Sequence, residues 1–437
     1  MNAMKTPKNI TGWICGLTVL LFAVSCEEYD YPDRIRATEG VPTVDYVRYA
    51  DQDVFITQAF MDEVVCLVGS NLCSVHSILF NDQAAILNTS YITDNTLLVA
   101  VPSTQAVNKT DKIYLCTAAQ DTVTVVFKVL PPSPKISEMS CEYAAVGQKV
   151  SITGKYFMDV KKLEMTGAAV SDFTVESPEK ISFNIPSGAA AGPLYIETES
   201  GSAYSKFWYM DNRGILFTFE DGTRAPNGWN PADIISNPSD GISGNYLQFG
   251  NGTTVLDAEG GAWSEGSGGF SMPYWPGSWN DPENYADAPR LTDIVDFTNY
   301  ATMAYKFEMN IPAEYPWKSN AMQVIPAPVT AVTGGNACTD IYGVQVAGAN
   351  NTYFHESLSL PRAMYAPYAA SGSYDTGGEW ITVTLPISNF TYDWDGNPAT
   401  GTLNADSFAS LLIFFHGVAG AECTPIVKID NIRVVPN

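Results

Sequence analysis

The chain has 437 residues and a formal net charge of −24, with 47 acidic and 23 basic side chains. A chain well above about 300 residues exceeds what one hydrophobic core serves, so several domains are expected. The acidic balance argues against binding to the phosphate backbone of nucleic acid and against anionic polysaccharides, although acidity also keeps an exported protein soluble. With 12% aromatic residues, 34 glycines and 27 prolines, the composition favours short strands and many turns, so the predicted fold class is all-β.

Residues 1–25 have the layout of a secretory signal peptide. Lys5 and Lys8 precede an apolar run over residues 14–24, which is too short to span a bilayer. The sequence Leu-Phe-Ala-Val-Ser-Cys that ends at Cys26 resembles a bacterial lipobox. This resemblance implies cleavage before Cys26 and acylation of that cysteine, so that a lipid anchor is the only contact with the membrane; the loss of both lysines would bring the net charge to −26.

Residues 26–41 contain few apolar side chains and are predicted to form a lipidated tether. Glu27 and Glu28 directly follow Cys26. Acidic residues at this place resemble the surface-export signal of lipoproteins in Sus-like glycan-uptake systems, which implies a location on the cell surface at the outer membrane. The alternative is a lipoprotein that stays on the periplasmic face.

Six cysteines follow Cys26 in the chain, and their number leaves two interpretations open. An even count in an oxidising compartment permits disulfides, whereas buried free thiols fit the sequence equally well. No Cys-x-x-Cys pair or Cys/His spacing indicates zinc. The six are Cys66, Cys73, Cys116, Cys141, Cys338 and Cys423.

Residues 42–132 and 133–210 are predicted to be two copies of one small sandwich. Apolar residues alternate up to a predicted glycine turn in each copy, at Gly69 and at Gly154, which lie 85 residues apart. Pro102 and Pro186 lie 84 residues apart, so the offset is constant. Each copy is predicted to close on a hairpin, residues 113–115 with 125–127 and residues 194–196 with 207–209.

These repeats resemble immunoglobulin-like TIG (IPT) domains, whose marks include a V-x-I-x-G strand and a later Ile-Pro-x-Gly loop. The second copy has Ile185-Pro186-Ser187-Gly188, whereas the first has Val101-Pro102-Ser103 without the glycine. Their aromatic residues alternate as core residues do, which favours a spacer role over ligand binding. The proline-rich joint at residues 131–134 is expected to stiffen the connection between them.

Residues 211–437 are predicted to form one larger sandwich with long loops. Seven of the nine tryptophans lie between Trp229 and Trp394. Strand-like alternation occurs at residues 305–311, with Lys306, Glu308 and Asn310 between apolar residues, and again at residues 381–385. The opening residues 215–222, the strand at 379–385 and the closing strand at 429–434 resemble jelly-roll carbohydrate-binding modules.

The stretch from Gly261 to Tyr285 places large rings among Gly, Ser, Pro, Asn and Asp, where neither helical nor strand periodicity would bury them. Several rings in a turn-rich loop indicate an exposed patch that faces a ligand. We therefore predict an aromatic platform for a carbohydrate. Its rings are Trp263, Tyr274, Trp275, Trp279 and Tyr285.

The domain order as a whole resembles the surface glycan-binding lipoproteins of Sus-like systems, in particular those with a C-terminal β-glucan or xyloglucan-binding domain. The resemblance implies a non-catalytic protein that captures a neutral polysaccharide and delivers it to a TonB-dependent outer-membrane transporter. It assigns glycan binding to Trp229 and to the adjacent pair Tyr274-Trp275. Trp263 and Trp279 join them because they lie in the same loop.

The remaining tryptophans and polar side chains are interpreted by context. Trp380 and Trp394 are assigned to the fold, Trp317 is left undecided, and His416 is expected at a strand end. Hydroxyl groups of a sugar could be recognised by loop side chains among which the sequence does not choose. These are Asn280, Asp281, Glu283 and Asn284.

Two other functions compete with glycan binding. A glycoside hydrolase would need two suitably spaced carboxylates, for which the loop acids Glu265, Asp281, Glu283 and Asp287 are available. A structural or adhesive surface protein would suit tandem sandwiches on an anchor, but it would not need an exposed aromatic loop. His76, His355 and His416 lie in no nucleophile motif, so Ser/His/Asp chemistry has little support.

A structural calcium ion is a further hypothesis, because jelly-roll modules of this kind often hold one near their terminal strands. Glu220 and Asp430 would then be the candidate oxygen ligands. Ordinary polar residues on strand edges are the alternative, and no other cofactor is expected.

Overall fold

The computed structural model describes residues 40–228, 231–258, 268–277, 285–333, 337–340, 345–346 and 358–437, and of residues 329–346 only the backbone. The chain forms two compact units, and the boundary between them falls between Leu130 and Pro131. The predicted all-β class is confirmed, because strands supply the regular structure together with short 3₁₀ turns. Within the described residues, no helix is both long and apolar enough to cross a bilayer.

The first unit is a sandwich of two four-stranded sheets, β2-β1-β4-β7 and β6-β5-β8-β9, and a short parallel pair, β3-β10. Its core lies between the sheets and includes Leu67, Ile78 and Leu115, all fully buried. The strands are β1 Thr43–Tyr49, β2 Phe55–Ile56, β3 Gln58–Phe60, β4 Val64–Ser70, β5 Val75–Phe80, β6 Gln83–Ala85, β7 Thr96–Ala100, β8 Lys112–Thr117, β9 Thr122–Val126 and β10 Lys128–Leu130.

The second unit begins with another sandwich, formed by sheets β11-β12-β16-β15 and β14-β13-β17-β18. Its strands are β11 Lys135–Met139, β12 Lys149–Lys155, β13 Lys162–Met165, β14 Ala168–Ala169, β15 Phe173–Ser177, β16 Lys180–Asn184, β17 Gly192–Thr198 and β18 Gly201–Tyr209. Sheet β11-β12-β16 repeats the order of β1-β4-β7, and β14-β13-β17-β18 repeats that of β6-β5-β8-β9. The two predicted copies therefore share one topology, and both predicted hairpins are present, as β8-β9 and β17-β18.

Gly69 and Gly154 occupy the same place in both copies, but the predicted turn is wrong. Each glycine lies inside a strand, β4 or β12. A Cβ atom at Gly69 would overlap the carbonyl oxygen of Thr43, and one at Gly154 would overlap that of Lys135. The register of the first strand shifts close to both positions. The glycines are therefore required because two backbones approach closely at a bulge.

The C-terminal sandwich packs a six-stranded sheet, β20-β21-β31-β23-β29 with β19 also paired to β31, against the sheet β22-β30-β24-β28. A separate sheet has the order β25-β26-β27. The strands are β19 Ile215–Phe217, β20 Asp233–Ile235, β21 Tyr246–Phe249, β22 Ser271–Tyr274, β23 Met303–Asn310, β24 Ala321–Ala327, β25 Val329–Thr333, β26 Ala337–Asp340, β27 Gln345–Val346, β28 Ala363–Tyr365, β29 Ile381–Pro386, β30 Ser410–His416 and β31 Val427–Pro436. The 3₁₀ turns are Leu72–Ser74, Thr89–Tyr91, Leu291–Asp293, Tyr300–Thr302, Pro367–Ala370, Ile387–Asn389 and Ala405–Phe408.

Strand β23 shows the predicted alternation, yet both of its faces are buried. Its apolar residues enter the core of the C-terminal sandwich, whereas Lys306 and Glu308 face the second sandwich. Glu142 of the second sandwich accepts hydrogen bonds from Lys306 Nζ at 2.6 Å and from Arg433 Nη2 at 2.7 Å. Glu308 pairs with the same guanidinium at 2.8 Å. A buried ionic network thus joins the second sandwich to the C-terminal sandwich, which is the third in the chain.

The cysteines with described side chains are free thiols, so disulfides among them are absent. They are Cys66, Cys73, Cys116, Cys141 and Cys423. Burial raises the pKa of the Cys141 thiol to about 12, which keeps that thiol protonated and unreactive. The side chain of Cys338 lies outside the described residues.

Candidate functional site

The sheet β22-β30-β24-β28 has a second apolar cluster on the face opposite the main core. Along β30, Leu411, Ile413 and Phe415 enter the main core, whereas Leu412 and Phe414 belong to the other cluster. This division follows from the two-residue period of a strand. We call this side of the sheet the outer face. Its apolar residues are all buried, at 8% exposure or less, and Trp394 packs partly against them; they are Trp275, Ile325, Ala327, Leu360, Leu412 and Phe414.

Trp394 presents a half-buried ring on the outer face. Its centroid lies 3.8 Å from that of His416 with an interplanar angle of 21°, and 6.2 Å from that of Phe414 at 18°. The turn that carries it is fixed by the Asp393 carboxylate, which accepts backbone N–H bonds from Asp395 and Asn397, both at 2.9 Å. The ring is therefore held in place before any ligand binds, which lowers the entropy lost on binding.

A buried polar network lies behind this ring. Arg362 is fully buried and donates from Nη1 to Gln323 Oε1 at 2.7 Å. Gln323 Nε2 in turn donates to the carbonyl oxygens of Trp394 and His416, at 3.3 and 3.2 Å. Burial lowers the pKa of Arg362 to about 10, with the nearby Asp393 opposing the shift, so the guanidinium stays charged at neutral pH. The network ties the Trp394 turn to strands β24 and β30.

His416 ends strand β30, as the sequence predicts. Burial, and then the positive charge of Arg362, lower its pKa below the ordinary value of 6.5. Its Nδ1 atom is buried and has no hydrogen-bond partner among the residues that the structure describes. A neutral imidazole offers one donor and one acceptor, which suits a sugar hydroxyl.

Trp275 lies at the edge of the outer face but is buried, at 8% exposure, so the exposed ring expected there is wrong. Its backbone N–H donates to Asn227 Oδ1 at 2.8 Å, and its carbonyl accepts from Asn227 Nδ2 at 2.7 Å. A Cβ atom on Gly228 would lie 2.6 Å from the indole Nε1 of Trp275 and 2.5 Å from Pro273 Cβ, so only glycine fits beside them. Gly228 thus brings the chain to Trp275 immediately before Trp229.

The exposed ring expected at Tyr274 is wrong. Ser271–Tyr274 is an edge strand paired to β30, and the Tyr274 ring enters the main core at 1% exposure. Its hydroxyl donates to the carbonyl of Pro289 at 2.8 Å, and burial raises its pKa to about 12. Pro273 is tolerated because an edge strand leaves one side of its backbone unpaired. Tyr274 therefore supports the sheet on which Trp275 lies.

Three of the predicted platform residues, Trp229, Trp263 and Trp279, lie outside the described residues. So do most of the polar side chains suggested for hydroxyl recognition or for acid catalysis: Glu265, Asn280, Asp281, Glu283 and Asn284. Asp287 is described and exposed. Their roles stay predictions.

The other tryptophans divide into fold and surface. Trp380 packs at the junction with the second sandwich, where its Nε1 donates to the Asp240 carbonyl at 2.8 Å, as its assignment to the fold predicts. Trp317 is fully buried in the main core. Trp394 packs against the apolar cluster of the outer face, which agrees with its assignment to the fold, but its ring stays half-buried. Asp, Gly and Asn surround Trp394 in the sequence, and this turn chemistry was the available signal for an exposed ring.

Glu220 and Asp430 both accept hydrogen bonds from residues 243–245. Glu220 Oε1 accepts from the Asn245 N–H at 2.9 Å, and Asp430 Oδ2 accepts from the Ser243 hydroxyl at 2.6 Å. Burial raises the pKa of Asp430 to about 7. Calcium takes six to eight oxygen ligands, and the described part of the chain contains no group of three or more His, Cys, Asp or Glu residues placed to hold a metal ion. Both carboxylates accept hydrogen bonds within the fold, and a calcium ion between them stays a hypothesis.

Comparison with known proteins shows the family of the chain. Residues 209–436 match the family described as the surface glycan-binding protein B xyloglucan binding domain. The chain is 40% identical to the surface glycan-binding protein PbSGBP-B from Prevotella bryantii, with 91% of this chain and 99% of that one covered and a TM-score of 0.75.

Two further relatives are more distant. SGBP-B from a complex xyloglucan utilization locus in Bacteroides uniformis is 15% identical over 91% of this chain and 100% of that one, with a TM-score of 0.41. An IPT/TIG domain-containing protein from Bacteroides ovatus is 24% identical over 164 residues, or 35% of this chain. The match spans 32% of that relative's length.

Proposed function

Because the chain belongs to the surface glycan-binding protein B family, we propose that its C-terminal sandwich binds a neutral β-glucan of the xyloglucan class on the outer face. The observation that carries the proposal is the half-buried Trp394 ring, stacked on His416 and Phe414 and fixed by a turn of its own. A ring in that position offers one flat side to a ligand.

The chemistry of the outer face suits a β-linked pyranose. Such a sugar presents axial C–H groups on a flat side, and an indole ring has a negative π face of matching size. By analogy with base stacking, each ring contributes about 1–3 kcal/mol. Three rings supply at most about 9 kcal/mol. Because association itself costs several kcal/mol, micromolar binding, near −8 kcal/mol, also needs the polar contacts of the site.

Trp275 and Trp394 are the described rings that we assign to this site, and Trp229, Trp263 and Trp279 are proposed to extend it. Gly228, the residue before Trp229, supports its inclusion, because the backbone at Gly228 lies against the Trp275 indole. The neutral imidazole of His416 supplies a polar contact for a hydroxyl group. The strongly acidic chain favours a neutral glucan over a uronate-rich polymer.

We further propose that binding occurs without catalysis at the cell surface. Acylation at Cys26 would anchor the chain to the outer membrane, and a TonB-dependent transporter would receive the glycan. Replacement of Cys26 by Ala should release the protein into the soluble fraction and abolish incorporation of labelled palmitate. Membrane retention of the Cys26→Ala variant would contradict the anchor.

The binding proposal is tested with the soluble chain from residue 27 onward. Affinity electrophoresis in gels that contain xyloglucan, mixed-linkage β-glucan or polygalacturonate should show retardation by a neutral glucan and none by the anionic polymer. The absence of retardation by every neutral β-glucan would contradict the proposal. Release of reducing ends after prolonged incubation would contradict its non-catalytic part.

A further inference from the structure

The second sandwich carries a pair of tyrosines on its surface, although the alternation in the sequence predicts tyrosines in the core. Tyr195 of β17 and Tyr204 of β18 lie directly opposite each other in the ladder. Their ring centroids are 4.9 Å apart with an interplanar angle of 50°. Tyr204 is 67% exposed. Tyr195 and its neighbours Leu194 and Ile196 alternate between surface and core, so both tyrosines point outward.

A groove of about 390 Å³ lies against this pair. Its far wall is the tight turn between β13 and β14, which contains Thr166 and Gly167, and Pro193 forms part of its floor. The Thr166 hydroxyl donates to the Pro193 carbonyl at 3.1 Å and so joins the turn to β17. The volume falls within the range of small-ligand sites, about 300–1,000 Å³.

Charged side chains fix Tyr195 and leave the ring of Tyr204 accessible. The Tyr195 hydroxyl donates to Glu197 Oε2 at 3.2 Å, and Lys162 Nζ lies 5.7 Å from the Tyr195 centroid. Lys162 also pairs with Glu164 at 2.9 Å, and Glu164 lines the groove. The groove therefore combines the exposed ring of Tyr204 with one carboxylate, that of Glu164, which Lys162 holds in place.

We propose that this groove is a second contact site for a neutral glucan chain, a role that rests on the function proposed above. Ring faces match the apolar side of a pyranose, and the Glu164 carboxylate can accept a hydrogen bond from one of its hydroxyl groups. The net charge of the chain, −24, disfavours a uronate or sulfated polymer. The groove adds a contact to that of the outer face. The proposed ligand of the groove is a neutral polymer that is long enough to reach both sites.

Attachment of the second sandwich to the C-terminal sandwich allows the groove to raise the apparent affinity for a polymer. The buried pairing of Glu142 with Lys306 and Arg433 joins the two sandwiches in one compact unit. A polymer bound at the outer face would then be presented to the groove at a high effective concentration. A weak second contact is enough to raise the apparent affinity for a polymer while leaving that for a short oligosaccharide unchanged.

The experiment compares a soluble β-glucan polymer with a short oligosaccharide of the same glucan, by isothermal titration on the chain from residue 27 onward. Tyr204→Ala should lower the apparent affinity for the polymer by at least about fivefold, the loss expected for one stacking ring, and leave that for the oligosaccharide unchanged. Ala168→Arg, which fills the groove from the opposite wall without removing a ring, should have the same effect. Tyr91→Ala removes a tyrosine that is 58% exposed on the first unit and is the matched control.

The outcomes separate this proposal from the one on which it rests. If the wild-type chain binds the polymer and both groove variants bind it equally well, the second site is wrong and the outer face stands. If the wild-type chain binds neither polymer nor oligosaccharide, the proposed function itself is wrong. If Tyr204→Ala weakens polymer and oligosaccharide equally, the groove does not act as a separate contact and the proposal is overturned.

Discussion

Trp394 lies face to face with His416, at a centroid separation of 3.8 Å and an angle of 21°. One residue comes from a loop and the other from the end of β30, and Gln323 bonds to the backbone carbonyl of both. The two half-buried rings therefore form one rigid element of the outer face. The behaviour of His416 on acidification follows from this arrangement.

Because burial and Arg362 lower the pKa of His416 from its ordinary 6.5, the unfolded chain takes up a proton first as the pH falls. The stabilisation by neutral His416 is complete above pH 6.5 and is lost as the pH falls below that value through the folded-state pKa. His416→Gln should therefore reduce the drop in melting temperature between pH 7 and pH 5. The matched control is His76→Gln on the surface of the first unit, and an identical drop in wild type and His416→Gln would contradict the prediction.

Asp430 is expected to act in the opposite direction. Burial raises its pKa from 3.8 to about 7, so the folded chain holds a proton that the unfolded chain releases. This contribution to stability is complete below pH 3.8 and is lost as the pH rises to about 7. The melting temperature of Asp430→Asn minus that of wild type should therefore increase as the pH rises from 5 to 8. Asp221→Asn, at an exposed position of the same sandwich, serves as control. A difference from wild type that shrinks with rising pH would show the sign to be wrong.

The junction between the second and third sandwiches is expected to depend on Glu142. Glu142→Ala leaves the buried Lys306 without its carboxylate partner at 2.6 Å and removes one of the two that Arg433 contacts. Loss of one partner in a buried ion pair costs about 3–5 kcal/mol. Scanning calorimetry should show a lower melting temperature for the transition of residues 131–437.

The matched control for this junction is an exposed pair in the same unit, Lys161 with Glu199 at 3.4 Å. Glu199→Ala is expected to change stability by less than about 1 kcal/mol, because surface ion pairs contribute little. Equal destabilisation by Glu142→Ala and Glu199→Ala would argue against a buried network as the joint.

Gly228→Ala probes the support of Trp275 without removing a ring. The new methyl group would meet Trp275 Nε1 and Pro273 within 2.6 Å, so the indole must shift. We expect weaker binding of neutral β-glucan and a changed tryptophan emission spectrum, at a stability cost of about 1–3 kcal/mol for overpacking. Wild-type affinity together with a shifted emission spectrum would show that the position of Trp275 does not matter for binding.

Local sequence patterns predicted the duplicated sandwiches and their hairpins, because strand period and the spacing of glycine and proline are local signals. Tyr274 was misplaced because its strand is short and contains Pro273, and its partner β30 lies far along the chain. Local patterns also did not predict the stacking of Trp394, because its partners Phe414 and His416 come from β30, a strand later in the chain.

The two-residue period of a strand also does not predict which residues are buried against another domain. Lys306 and Glu308 occupy the positions at which a two-layer sandwich places solvent-facing residues, and only the approach of Glu142 from the second sandwich buries them. The network behind Trp394 joins Gln323 and Arg362, which are 39 residues apart. No motif in the sequence marked this pair as support for a binding surface.

Binding of the glycan at the outer face is tested most directly by isothermal titration of Trp394→Ala with a soluble neutral β-glucan oligosaccharide. Loss of one stacking ring should weaken binding by at least about fivefold, and Trp275→Ala combined with Trp394→Ala should abolish measurable binding. Tyr392→Ala, which removes a ring that is 41% exposed two residues away, should bind as wild type does. Wild-type affinity in a folded Trp394→Ala and Trp275→Ala double variant would contradict the account.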